Sequence, residues 1–346
     1  LPGCPRSRPL AGPSIAVMAI QLADYGWTGG SPPGDGQLGR IVRVDRGECD
    51  VVIAEGPVRV VSDSQRAQSE IAPATGDWVL VGTDPDLGPF IERVLPRTNT
   101  LSRRDPSEEV VEQVLVANVD LVLIVHGLDR PLPPGRLERY LVLAWDSGAE
   151  VAVVLTKAGR ETEAAAEISA VVRAVAPGVD VLTVEVGEAA GGIDGVEALI
   201  RPGLTVALLG ESGAGKSTLV NALVGEEVLA TAEVRSGDRK GRHTTVSREL
   251  LLCPTGGLLV DTPGLRSVGL WDAEEALNRV FGDLEELSAR CRFADCVHDT
   301  EPDCAVLADG RVAKRRLDRY LSLRRELADQ REREVERRRG ERGHRR

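Results

Sequence analysis

The chain has 346 residues, a formal net charge of −11, 42% hydrophobic residues and only 3% aromatic ones. That length suits two or three domains, and no apolar run approaches the ~20 residues of a membrane helix, which excludes a helical membrane protein and points to a soluble one. Six cysteines in so long a chain do not make a disulfide framework; three of them fall beside a histidine, as in a metal site of a reducing compartment.

Residues 1–34 read as a disordered or untranslated extension: residues 1–17 hold four prolines and no folded pattern, and the only methionine is Met18. They lack the basic-then-apolar layout of a signal peptide. Residues 35–106 predict short strands at 38–44, 49–54, 58–62, 78–82 and 90–94, spaced by turn residues such as Asp45-Arg-Gly47 and Thr75-Gly-Asp77. Five such strands suggest a small barrel, an SH3-like one included. Arg40, Arg43, Arg59, Arg93, Arg97, Arg103 and Arg104 either face a nucleic-acid backbone or are ordinary surface charge.

From Val119 strands and helices alternate. Strands are expected at 119–125, 151–155, 179–186 and 204–209, with helices at 134–147, 161–176 and 193–200 between them, so residues 107–270 predict a parallel α/β sheet. Two further strands are expected at 250–253 and 257–260, then helices at 272–288 and 311–339 flanking the cysteine cluster. Residues 311–346 hold 15 Lys/Arg against 7 Asp/Glu, a surplus of +8 that leaves −19 on the residues before them. Such a basic end suits a polyanionic partner, or a solvated helix with internal ion pairs.

The most specific motif is the phosphate-binding loop Gly210, Glu211, Ser212, Gly213, Ala214, Gly215, Lys216, Ser217, set between an apolar strand and a helix that opens at Thr218. Its backbone N–H groups and the helix N-terminus suit phosphate oxygens. Lys216 is expected on the terminal phosphates and Ser217 on Mg²⁺. Downstream, Leu258-Leu-Val-Asp261-Thr-Pro-Gly264 has the form of a GTPase switch, with Asp261 on Mg²⁺ through water and the Gly264 N–H on the γ-phosphate. Between them Gly241-Arg-His243-Thr244-Thr245 offers two candidates for the switch threonine, either Thr244 or Thr245, and His243 either positions water or caps a loop. Leu265 stands where many GTPases carry a water-orienting glutamine, so intrinsic hydrolysis is expected to be slow and to need an activator.

Nothing after Asp261 fits a guanine-reading element. The best match lies before the phosphate loop, a strand ending in Thr156-Lys157-Ala158-Gly159, where Thr156 replaces Asn and Gly159 replaces Asp of the Asn-Lys-x-Asp pattern. Losing the charged acceptor weakens base selection by roughly tenfold to a hundredfold; Glu161 is one candidate to replace it. Finally, Cys291-x4-Cys296-x-His298-x5-Cys304 supplies three thiolates and an imidazole, a closed tetrahedral set for one structural Zn²⁺.

Together these motifs resemble the RsgA (YjeQ) family of circularly permuted GTPases that depend on the small ribosomal subunit, over about residues 35–325. The Gly241-Arg-His-Thr-Thr245 stretch and the zinc spacing carry most of that resemblance. It implies a multidomain fold: an N-terminal OB-type β-barrel at 35–106 that binds RNA, a central permuted α/β P-loop GTPase domain at 107–270, and a C-terminal α-helical zinc domain with a basic tail at 271–346. It further implies GTP/GDP and Mg²⁺ as ligands, ribosome-stimulated GTP hydrolysis, rRNA contact, a cytoplasmic location and a monomer without a membrane partner. The chain departs from the family at Thr156, at Gly159, and at Val184-Glu-Val-Gly187, where the family shows a Ser-Ala backbone contact to the base. An RNA-binding factor with a degenerate, weakly selective nucleotide site is the alternative expectation.

Overall fold

The computed structural model describes residues 20–32, 34–62, 71–86, 88–104, 112–159, 162–186, 192–229, 248–262, 270 and 273–344. Alternating apolar residues between turn signals build five strands, β1 (Gln37–Val44), β2 (Glu48–Ile53), β3 (Gly56–Val61), β4 (Trp78–Asp84) and β5 (Gly88–Val94). They close into a barrel in the order β1-β2-β3-β5-β4, with β3 and β5 paired in parallel through Val61 and Phe90. That is the order of an OB-type barrel rather than an SH3-like one. Ile41, Val51, Val60, Val79 and Ile91 point inward and are shut off from solvent.

Arg40 corrects a sequence-based expectation. It is 2% exposed, its Nη2 donates to Thr205 Oγ1 at 2.9 Å and its Nη1 to the Tyr25 carbonyl at 3.0 Å, and its guanidinium lies 4.8 Å from the Trp78 ring centroid. Burial pushes its pKa down to about 10 against the pull of Asp120 and Asp77. Arg40 therefore fastens the barrel to the neighbouring sheet and does not face a nucleic acid. Arg97 is likewise taken up, clamping the buried Asp77 with bonds of 2.7 Å, and Arg59 is shared among Asp45, Glu48 and Asp50.

A hairpin that the sequence did not signal follows the barrel, β6 (Thr100–Arg104) paired with β7 (Glu112–Ala117). Then come β8 (Leu121–Gly127), α1 (Pro134–Asp146), β9 (Glu150–Thr156), α2 (Thr162–Val175), β10 (Asp180–Thr183), α3 (Asp194–Glu197), β11 (Thr205–Leu209), α4 (Lys216–Val224), β12 (Leu250–Leu252) and β13 (Leu258–Asp261). The sheet order is β10-β9-β8-β11-β13-β12, parallel except for β12, an antiparallel edge strand. α3 is shorter than expected because residues 199 and 200 continue it with i to i−3 hydrogen bonds that tighten the turn before Pro202. The central strands β8 and β11 are apolar and buried throughout, as a sheet covered on both faces requires.

The expected helix at 272–288 is two helices, α5 (Glu274–Val280) and α6 (Gly282–Ser288), which part at Phe281. Phe281 is fully buried with its ring centroid 5.3 Å from that of Tyr320. After the one-turn α7 (Ala305–Ala308), α8 (Lys314–His344) lays Leu317, Tyr320, Leu323 and Leu327 on one face into a core shared with α1. Arg316 and Arg319 of α8 grip the fully buried Glu138 of α1 (3.0 Å from Arg316 Nη1, 2.7 Å from Arg319 Nη2), and Arg139 holds Glu326 at 2.7 Å. Part of the basic surplus is thus spent on an internal ion network. Truncation of Glu138 takes the carboxylate partner from Arg319 and one of two from Arg316, which keeps Asp283, so Glu138→Ala is expected to cost about 2 kcal/mol of unfolding free energy, read from the midpoint of urea denaturation.

No helix among the described residues is long and apolar enough to cross a membrane.

Candidate nucleotide site and zinc centre

The phosphate loop sits at the carboxyl edge of the sheet, between the last residue of β11 and the first turn of α4. Its shape depends on glycine at both ends. Gly210 has φ +153° and a Cβ there would lie 2.3 Å from the Val125 carbonyl of β8; Gly215 has φ +90° and its Cβ would lie 2.9 Å from Thr156 Oγ1. The loop therefore lies against the ends of β8 and β9 with no room for side chains. Glu211, tied to Arg136 at 2.7 Å, and the exposed Ser212 and Gly213 form its outer rim, while Ala214 is buried beneath it. Lys216 is 5% exposed, and its Nζ donates to the carbonyls of Gly210 at 2.9 Å and Glu211 at 3.0 Å. The ammonium thus stands inside the curl of the loop, where phosphate oxygens meet the lysine of such motifs.

Ser217 Oγ donates to Asp261 Oδ2 at 3.2 Å. The hydroxyl and the carboxylate converge from α4 and from the end of β13, a pair of hard oxygen donors that fits Mg²⁺. Thr262, fully buried, anchors this end of β13 by donating to the Leu208 carbonyl. Thr218 is exposed on the first turn of α4. His243, Thr244, Thr245 and Gly264 lie outside the described residues, as does Glu161.

The loop after β9 is bound to the phosphate loop by two contacts. Thr156, 2% exposed, donates through Oγ1 to the Ala214 carbonyl at 2.6 Å, so the hydroxyl that stands in place of asparagine ties the two loops together. Lys157, at φ +57°, reaches the Gly213 carbonyl at 2.7 Å and Asp129 Oδ2 at 2.9 Å. Ala158 packs against the main core, and the Gly159 N–H donates to the Glu185 carboxylate. Asp129 and Arg130 were not anticipated. Arg130 bonds Asp129, and its guanidinium also reaches the carbonyls of Ser212 (3.4 Å) and Gly213 (3.3 Å). Hydrogen bonds from Arg130 and Lys157 hold the Asp129 carboxyl down at about 2. The one sequence signal for this pair is its place just beyond a buried parallel strand, where ligand-binding loops gather.

The four candidate zinc ligands lie together in the segment between α6 and α7. Their four ligand atoms, from Cys291, Cys296, His298 and Cys304, all fall within 4.8 Å of one another. The Cys291 and Cys304 sulfurs are 3.9 Å apart, and His298 Nδ1 is 3.4 Å from the Cys304 sulfur and 3.7 Å from that of Cys291. Tetrahedral zinc with Zn–S bonds of about 2.3 Å separates its sulfurs by about 3.8 Å, so the donor set fits the ion. His298 Nε2 faces Ser288 Oγ at 2.9 Å, which turns Nδ1 toward the sulfurs. Desolvation raises the Cys296 thiol to about 11; at Cys291 the same effect is outweighed by N–H groups of Ala305 and Val306, which hold it below its usual value. N–H donors at sulfur favour the thiolate that zinc requires.

A family profile described as RsgA GTPase matches residues 94–271. The small ribosomal subunit biogenesis GTPase RsgA of Streptomyces avermitilis is 46% identical over 329 residues, covering 90% of this chain and 87% of its own length. The protein of the same name from Streptomyces coelicolor is 44% identical over 319 residues, covering 88% and 86%. Among solved structures, YjeQ from Thermotoga maritima superposes with a TM-score of 0.58 at 26% identity, covering 84% of this chain and 98% of its own. YloQ, described as a circularly permuted GTPase, superposes at 0.56 with 25% identity, covering 85% and 96%.

Proposed function

The chain belongs to the RsgA GTPase family, and on that premise we propose that it hydrolyses GTP to GDP and phosphate on the small ribosomal subunit, late in that subunit's maturation. The observation that carries this reading is the convergence at one sheet edge of Lys216 inside the phosphate loop, Ser217 beside Asp261, and Lys157 against the Gly213 carbonyl. In this reading Gly210–Ser217 and Thr218 seat the phosphates of GTP, and Lys216 neutralises the terminal ones. Ser217 would hold Mg²⁺ together with Asp261, the latter through water, and with Thr244 or Thr245. The ion would supply positive charge against the phosphate oxygens. The Gly264 N–H senses the γ-phosphate, and His243 positions water.

Residues 35–106 serve as an RNA-binding barrel, 107–270 as the GTPase domain and 271–346 as the zinc-binding helical domain; of the expected extension at 1–34, Leu22, Tyr25 and Trp27 instead pack against the barrel. Cys291, Cys296, His298 and Cys304 hold one Zn²⁺ that shapes the surface for rRNA. The protein acts as a cytoplasmic monomer. With Leu265 where a water-orienting glutamine is common, the subunit itself is the activator.

Co-sedimentation tests the partner. The full chain is expected to pellet with purified small subunits when a non-hydrolysable GTP analogue is present and to stay largely in solution with GDP. Equal recovery in both states, or none in either, would contradict the proposal.

A further inference from the structure

Glycine at position 159 offers no carboxylate to a base, but the structure brings one there from another strand. β10 runs parallel to β9 with Thr183 aligned to Leu155, and the Val184 N–H extends that ladder to the Leu155 carbonyl at 2.8 Å. This register delivers Glu185, one residue further, to the loop after β9. Its Oε2 accepts the Gly159 N–H and lies 3.9 Å from the point a Cβ on residue 159 would occupy. An aspartate at 159 would carry its carboxylate oxygens two bonds from that Cβ, so the two acids would fill neighbouring space.

Lys157 fixes what this position faces. It shares the loop with Gly159 and touches the Gly213 carbonyl, so residues 157–159, with Glu185 bonded to them, stand beside the loop that would seat the phosphates. We infer that Glu185 is the guanine-reading carboxylate of this chain, accepting the base N1–H and exocyclic N2–H in place of the missing aspartate. The inference rests on the GTPase reading of the same site.

A carboxylate has two oxygens and about four acceptor positions. One oxygen on the Gly159 N–H leaves the other for the base. Gly159 sits at φ +42°, in the left-handed region that side chains rarely adopt. That conformation turns its N–H toward Glu185, so the glycine and the glutamate act as a matched pair. Adenine presents an N1 lone pair and no N2 amine at the corresponding edge, and the carboxylate disfavours it. Hypoxanthine keeps N1–H but lacks the amine, and xanthine replaces the amine with a carbonyl.

The test is displacement of a fluorescent GDP analogue from the full chain, with Mg²⁺, by GDP, IDP, XDP and ADP. The native chain is expected to prefer GDP to IDP by about tenfold and to ADP by about a hundredfold or more. Glu185→Ala is expected to weaken GDP by roughly thirtyfold and to leave ADP within about twofold. Glu185→Gln keeps an acceptor for N1–H and adds an amide donor, so it is expected to raise XDP relative to GDP. Gly159→Asp in the Glu185→Ala background is expected to recover part of the GDP preference; circular dichroism melts confirm that each variant is folded. If Glu185→Ala keeps the native GDP-to-ADP ratio, or if the native chain does not discriminate between them, the inference is overturned while the phosphate site stands. Binding of none of the four would overturn the GTPase reading, and the inference with it.

Discussion

Replacing Lys216 with alanine is expected to reduce GTP hydrolysis by about 10³-fold and GTP affinity by about 100-fold. The transferred phosphoryl group gathers negative charge on oxygens that the protein must neutralise by position alone. Loss of one well-placed donor at developing charge costs 10²–10³ in rate, and Lys216 brings a full charge in a site where it is 5% exposed. Among its contacts in the free protein are the carbonyls of the buried Gly210 and the half-buried Glu211. The loop's shape rests instead on Gly210, Gly215 and the Thr156 tie to Ala214, so the variant is expected to fold normally. Steady-state phosphate release together with a thermal melt checks both halves. Hydrolysis within tenfold of the native chain would mean that the phosphate loop is not the catalytic site.

The second large effect concerns zinc. Cys304 is 4% exposed and caps α7 by accepting the Leu307 N–H at 3.5 Å. His298 and Asp303 hold left-handed backbone conformations at φ +60° and +61° in the same short loop. Little apolar burial supports that loop, and Phe293, Val297 and Leu307 around it are exposed. A zinc ion held there would supply most of its order, since binding contributes about 10 kcal/mol or more of folding free energy in small zinc modules. Cys304→Ser, or removal of zinc by a chelator, is expected to unfold residues around 291–308 while α8 stays docked through Glu138 and the shared core. Metal analysis should find one zinc per native chain and none in the variant, and hydrogen exchange should rise in that segment alone. GDP affinity is expected to remain within about twofold, because none of the four ligands touches the phosphate loop. An unchanged exchange pattern in the metal-free variant would contradict a structural zinc site.

Most of the barrel and the sheet was legible in the sequence because strands bounded by turn residues report their own ends. The phosphate loop was legible for a stronger reason: glycines at 210 and 215 are demanded by close approach to Val125 and Thr156, and that demand leaves a fixed spacing. What escaped were features set by partners far away in the chain. Arg40 reads as surface charge until Tyr25 and Thr205 enclose it. The β6–β7 hairpin was hidden because Arg103, Arg104 and the charged residues after them resemble a loop. The break at Phe281 interrupts an apolar pattern that runs on through it, since the ring itself is core. The orientation of β12 is a property of the sheet edge rather than of three leucines.

The nucleotide site divides along the same line. Lys216, Ser217 and Asp261 belong to local motifs and were expected together; the structure places the last two 3.2 Å apart. Asp129, Arg130 and Glu185 reach the site from the ends of β8 and β10, and only the parallel register of the sheet reveals that they meet there. The basic surplus of the C-terminal helix was ambiguous for a related reason: Arg316 and Arg319 turn inward to Glu138, and no pattern within the helix marks those two.

The measurement that bears most directly on the central claim is phosphate release from GTP and from ATP, with and without purified small ribosomal subunits. Slow turnover of GTP by the free chain, strong stimulation by the subunit and little turnover of ATP in either condition are the expected result. Turnover of GTP that is unchanged by the subunit, or equal turnover of both nucleotides, would contradict a guanine-selective GTPase that works on the small subunit.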